Sequence, residues 1–282
     1  MPALHEHPAL SSLPETVAAA VGLLTLVTYL AAVGHLRRRG DCWPMGRTGC
    51  FALGCVGLMT AVTVPLSGQP FTAHMAQHLV IGMAAPLLLV LGRPVTLAFR
   101  SLRPGAARRL ILRLVRTRVV TGLTFPPLAA AVNIAGLWLL YRTPLFAASA
   151  DHTWLHGLVH LHVFSAGLLF SFAVCQLDPA AHRHGVPLRA GTLVAGAAAH
   201  AVLAKTLYGT APPGTSFTTP DLSSAAQLMY YGGDVVEVAT AAVIALQWYA
   251  AAGRTQARRL RSPGRWPIGE LVRRRWWGPS AR

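Results

Sequence analysis

The chain has 282 residues, 53% of them hydrophobic and only 12% charged, against ~25% charged in an average soluble domain. That is too little charge to solvate a globular surface, so a water-soluble domain is excluded. The formal net charge of +16 would suggest nucleic acid in a soluble protein, but the basic residues do not interleave with aromatic ones as a single-strand platform requires, and nucleic-acid binding is excluded with it.

Seven apolar stretches follow one another at 16–36, 48–66, 74–92, 119–141, 153–176, 187–208 and 222–250, each near the ~20 residues that cross a bilayer core. The expected fold is therefore all-α, a polytopic membrane protein with seven transmembrane helices. Its parts are an outer N-terminal segment at 1–15, the seven-helix membrane domain at 16–250, and a basic, Trp-containing tail at 251–282. Twenty-three of the twenty-five Lys and Arg residues fall in the first, third and fifth connections and in the tail, leaving Arg142 and Lys205. By the positive-inside rule the N-terminus is expected outside and the C-terminus in the cytoplasm, in a bacterial plasma membrane. No Lys or Arg precedes the first span and Arg37, Arg38 and Arg39 follow it, the reverse of a cleavable signal, so this helix is expected to be retained.

The third connection, RPGAARRLILRLVRTR, puts Leu110, Ile111, Leu114 and Val115 on one helical face among arginines, a pattern for lying in the interface against anionic lipid. The tail, with Trp266, Trp276 and Trp277 among its arginines, reads the same way. Cys42, Cys50, Cys55 and Cys175 lie toward the cytoplasmic half in no C-x-x-C spacing. They read as small packing residues rather than a disulfide framework.

The twelve histidines divide unevenly on this topology. His5, His7, His74, His78, His152, His156, His160, His162 and His200 lie outside or in the outer half of the membrane, and His35, His182 and His184 on the inner side. Residues four apart on an α-helix share a face, so His74 and His78 form one pair and His152, His156 and His160 a stripe. Neutral imidazole is the commonest metal ligand and suits copper, zinc and iron. Two pairs on facing helices would supply four nitrogens, and Met75 adds a thioether that favours Cu(I) over zinc where it faces the same cavity. A single His near a helix mouth is more often an amphipathic or interhelical hydrogen-bonding residue. Two pairs confined to one leaflet favour a metal or haem site.

Three further ionisable groups, Lys205, Asp234 and Glu237, sit at membrane depth, where charge is costly and marks function. Asp234 and Glu237 share a helix face. A carboxylate from this pair is expected either to orient a ligating imidazole or to pair with Lys205; a structural ion pair between helices reads equally well.

The stretch HMAQHLVIGMAAPLLLVLGRP resembles the H-M-x-x-H helix and A-P-x-L-L-x-L-G-x-P ending of the CtaG-type cytochrome c oxidase assembly factors, seven-helix bacterial membrane proteins. LHGLVHLHVFSAGLLF is similar to that family's H-x-x-x-H helix, and DPAAHRH and DLSSAAQLMYYGGDVVEV to its later segments. The resemblance spans about residues 16–250. It implies an assembly role with copper delivery to an oxidase subunit, His74, Met75 and His78 matching the first motif and His156 and His160 the second. The chain departs from the family pattern at Arg142, Val159 and Ser171, with His152 and His200 as further candidate ligands.

Two other functions compete. One is a haem-binding redox or haem-modifying membrane protein, with the histidines as axial ligands. The other is a copper or proton transporter using His200, Lys205, Asp234 and Glu237 as a polar path. No nucleophile, base and orienter constellation and no phosphate loop is legible, so an enzyme is not expected. A retinal protein is excluded because the seventh helix has no Lys for a Schiff base.

Overall fold

The structure is a computed structural model, described here for residues 13–261 apart from residue 116. His5, His7 and the Trp266, Trp276 and Trp277 tail therefore lie outside the described residues. Among the described residues 82% are helical and none is in a strand. By contact it divides into Met1–Ile244, which holds the bundle, and Ala245–Arg282, whose described part is the last stretch of the final helix.

The first helix, α1 (Leu13–Arg38), ends at Gly40, whose φ of +78° only glycine adopts without strain. There the Gly40 N–H donates to the Arg37 carbonyl and the Asp41 N–H to the Leu36 carbonyl, the paired bonds of a Schellman cap. Helix α2 (Met45–Thr63) stops short of the expected residue 66 because Pro65 follows, and the residue before a proline is driven out of the α region.

The third span is a composite of α3 (Pro70–Leu79), a π turn (Val80–Ala84) and α4 (Ala85–Leu91). Proline explains the π turn. Pro86 has no N–H to give the Gly82 carbonyl, and the neighbouring Ala85 N–H reaches back five residues to Val80 instead. The Gly82 carbonyl lies directly against the backbone of Gly167, where a Cβ would collide with it. Two glycines and one proline thus set the closest approach of the third and fifth spans.

Arg93, in the left-handed region at φ 50°, turns the chain into α5 (Pro94–Ser101). Helix α6 (Ala106–Val115) follows, with Leu110 exposed. The stretch expected as one span at 119–141 is broken. A short α7 (Arg118–Leu123) stops before Phe125, and α8 (Pro126–Arg142) begins at the Pro126–Pro127 pair, because a residue preceding proline favours extended backbone. Helix α9 (Leu145–Asp151) then bends away from α8 by 75°.

The remaining helices are α10 (Thr153–Cys175), α11 (Val186–Gly209) and α12 (Thr219–Arg261). Among the described residues six helices are long and apolar enough to cross a membrane, or seven if the bent α8–α9 pair counts as one span. Their outward faces carry exposed Val17, Val21, Leu24, Val194, Val235 and Val238, the surface that lipid rather than water tolerates.

Contacts between distant residues define two ends of the bundle. At one end Phe71 stacks on Phe217 and meets Phe146 edge-on, joining the starts of α3 and α9 to the connection before α12. At the other, the Tyr29 hydroxyl donates to the Gly92 carbonyl at 2.8 Å, and the Trp43 Nε1–H donates to the Tyr29 hydroxyl at 3.2 Å. The main apolar core lies toward the first end and includes Phe71, Met75, Tyr141, Leu203 and Met229.

Candidate metal centre

His74 sits in the second turn of α3. Its Nε2 shares a 2.9 Å hydrogen bond with the Tyr141 hydroxyl of α8, and its ring meets Phe146 edge-on, centroids 4.7 Å apart. When Nε2 is the donor, Nδ1 carries the lone pair that a cation would use. The Tyr141 hydroxyl is fully buried, and a buried tyrosine hydroxyl requires such a partner. Nothing in the sequence distinguished Tyr141; a tyrosine inside an apolar span is the signal that would have found it.

His156 and His160 lie one turn apart on α10, ring centroids 4.2 Å apart. They line the same cavity as His74, a volume of about 1260 Å3 that also has Glu15 and Ser149 on its wall. Glu15, in the first turn of α1, was assigned no role from sequence because it lay at the boundary of the first apolar stretch. From this polar end the cavity continues past Met59, Ile81 and Phe164 to Leu89 and Pro94. Its walls there are apolar apart from Asp178.

His78 departs from its expected partner. It lines a separate, small cavity of about 30 Å3 with His200, Glu237, Asn133, Ser171 and Thr240. Its ring lies 6.3 Å from that of His200, with the planes 28° apart. The His200 Nδ1 stands 3.5 Å from Glu237 Oε1. Tyr141 is edge-on to both His74 and His78, at 5.9 and 6.0 Å, and so links the two imidazoles. Although one turn apart, His74 and His78 do not reach one cavity, and the Tyr141 ring meets both imidazoles.

Met75 does not join either group. It is fully buried in the apolar core and lines neither cavity. His152 caps α10 by its backbone, is exposed and lines neither cavity. Lys205 is exposed on α11, its ammonium 5.4 Å above the Tyr230 ring. Among the described residues it makes no ion pair with Asp234, and Asp234 is in no ion pair. No three His, Cys, Asp or Glu side chains among the described residues converge closely enough to hold an ion. The histidines are thus distributed between a wide mouth and a sealed pair.

The backbone beneath these residues is held from afar. Asp221 of α12 accepts from Phe71 N at 2.9 Å and from Thr72 N at 2.8 Å, at the start of the helix that carries His74 and His78. His200 is accommodated by Gly233 of α12, where a Cβ would strike the imidazole.

The family described as cytochrome c oxidase caa3 assembly factor (Caa3_CtaG) matches residues 27–251. Uncharacterized proteins of Mycobacterium bovis and Mycobacterium tuberculosis are 36% identical over 190 residues, and one of Mycobacterium leprae is 31% identical over 191. Each match covers 64% of this chain and 29% of the relative, so the chain spans less than a third of the length of these proteins. No solved structure matches.

Proposed function

Since the chain belongs to the family of cytochrome c oxidase caa3 assembly factors, we propose that it captures copper at the cavity mouth formed by His74, His156 and His160 and passes it to a subunit of the oxidase. Copper is cargo in this reading, and the family points to a non-catalytic role. The observation that carries the proposal is that three imidazoles from two spans line one wide cavity with the Glu15 carboxylate beside them. Imidazole suits copper in either oxidation state. An ion gathered by a loose set exchanges more readily than one enclosed by four fixed ligands, which is what delivery requires.

The distribution of charge supplies the direction. The arginines of the first, third and fifth connections lie away from the histidine mouth along the chain, and cytoplasmic loops carry such an excess. The mouth then opens at the outer surface of the bacterial plasma membrane, and Leu110 and the arginines of α6 face anionic lipid inside. The test is metal analysis of the purified chain after anaerobic loading with Cu(I). The variant carrying His74→Ala, His156→Ala and His160→Ala is expected to lose one ion per chain. Equal copper in both proteins, or a Soret band with stoichiometric iron in the wild type, overturns the proposal.

A further inference from the structure

We infer that His78 and His200 form a second, deeper site that holds one monovalent soft cation, Cu(I) or Ag(I), in line between two imidazole nitrogens. The identity of the ion rests on the copper reading above; the site itself rests on its own geometry. Both residues are nearly sealed, at 5% and 4% exposure, and the Nε2 atom of each has no hydrogen-bond partner among the described residues. Two buried polar atoms without partners in one pocket are an uncommon expense unless something binds there. The contact of Glu237 Oε1 with His200 Nδ1 keeps the proton on Nδ1 and leaves Nε2 its lone pair, the arrangement that orients imidazole ligands.

Dimensions agree with an ion of this kind. Two nitrogens each ~2 Å from a metal place the centroids of end-on imidazoles ~6 Å apart; the two rings here are 6.3 Å apart with planes 28° apart, a spacing that side-chain rotation about the same centres can turn end-on. The pocket volume of about 30 Å3 suits one ion or one water. With no third His, Cys, Asp or Glu converging among the described residues, the four-coordinate geometry of zinc is unavailable. Two-coordinate binding in line is the habit of d10 monovalent cations. Met83, on the wall of the same pocket, offers the adjacent soft atom.

The site has a role that the mouth does not. The wide cavity leaves an ion open to competing ligands and oxidants, while the sealed pair excludes them, and Tyr141 touches one imidazole of each. An ion captured at the mouth and moved one helical turn along α3 is stored.

The full chain in detergent, carrying His74→Ala, His156→Ala and His160→Ala so that the mouth is removed, is loaded anaerobically with Cu(I) and read by chelator competition and X-ray absorption. One ion per chain with two nitrogen neighbours in linear geometry is expected, and adding His200→Ala is expected to weaken its binding at least 100-fold. Glu237→Gln in the same background is expected to weaken it about tenfold. Retention of no ion by the mouth-less variant, a spectrum dominated by sulfur or by four ligands, or unchanged affinity after His200→Ala each overturns the inference; a pocket filled by water alone gives the first of these. The spectrum of the mouth-less variant decides the matter even where His200→Ala does not fold. Loss of copper on removing the mouth residues from wild type, with no ion left at the pair, sinks this site and leaves the capture site standing.

Discussion

The carboxylate of Asp221 accepts from the Thr72 N–H at 2.8 Å and from the Thr72 hydroxyl at 2.8 Å, across 149 residues of sequence. With the Phe71 N–H on its other oxygen, this acid on α12 satisfies the orphan donors at the start of α3, and its negative charge sits at the positive end of that helix. Asp178 repeats the device at the start of α5, accepting from Thr96 N at 2.8 Å and Val95 N at 3.2 Å. In both places the helix opens with a proline two residues before the threonine.

Asp221→Asn keeps the size and removes the charge. It turns an amide N–H toward the Phe71 or Thr72 donor. A loss of about 2 kcal/mol of stability is expected, the worth of hydrogen bonds to a charged group. Asp178→Asn is expected to cost the same, and the double variant to lose the sum because the two caps share no partner. Unfolding followed by circular dichroism in detergent checks both. A double variant no weaker than either single one contradicts independent caps.

Removal of the Tyr141 hydroxyl isolates its contribution to capture. Tyr141→Phe leaves the aromatic contacts with His74 and His78 and takes only the partner of His74 Nε2. Cu(I) affinity at the mouth is expected to fall ~10-fold to ~100-fold, the usual effect of deleting a group that orients a ligand. Competition with a chelator of known affinity measures it. Unchanged affinity means that Tyr141 serves packing alone.

The contact of Gly167 with the Gly82 carbonyl makes a prediction of overpacking. Gly167→Ala forces α10 away from the π turn, at an expected cost of about 1–3 kcal/mol. Gly34→Ala, where an added Cβ meets nothing within 4 Å, is the control and is expected to stabilise α1 by up to ~1 kcal/mol through propensity. Thermal midpoints of the two variants should move in opposite directions.

Of the two roles open to the α12 carboxylates, pairing with Lys205 is not the one found, since the Lys205 ammonium lies over Tyr230. Lys205→Gln is therefore expected to change stability by no more than ~0.5 kcal/mol, as exposed substitutions do, and to leave copper loading intact. A large loss of either would restore the polar path from His200 outward.

Orientation is open to a direct measurement. With the native cysteines replaced by serine, Ser216→Cys before α12 is expected to react with an impermeant thiol reagent on intact cells, and Arg109→Cys in α6 only after lysis. Both positions are exposed. The opposite pattern would put the histidine mouth in the cytoplasm and end the delivery proposal.

Composition alone determined that this chain is built for lipid. Apolar length picked out the spans and the histidine spacing marked α3 and α10, because those features are local and are written residue by residue. Prolines also carried information that simple hydropathy averages away: Phe125–Pro126–Pro127 breaks the fourth span, and Pro86 inside the third produces the π turn before it. What the chain could not disclose by itself is which histidine meets which. A spacing of four placed His74 and His78 together, whereas the packing sends His74 to the wide cavity and His78 to His200, 122 positions further on. Helix periodicity states the face a residue occupies; the neighbour on that face is chosen by how closely backbones approach. Here that approach is decided by the absence of a side chain at Gly82, Gly167 and Gly233 and by the remote carboxylates of Asp178 and Asp221, relationships that exist only once the helices have packed.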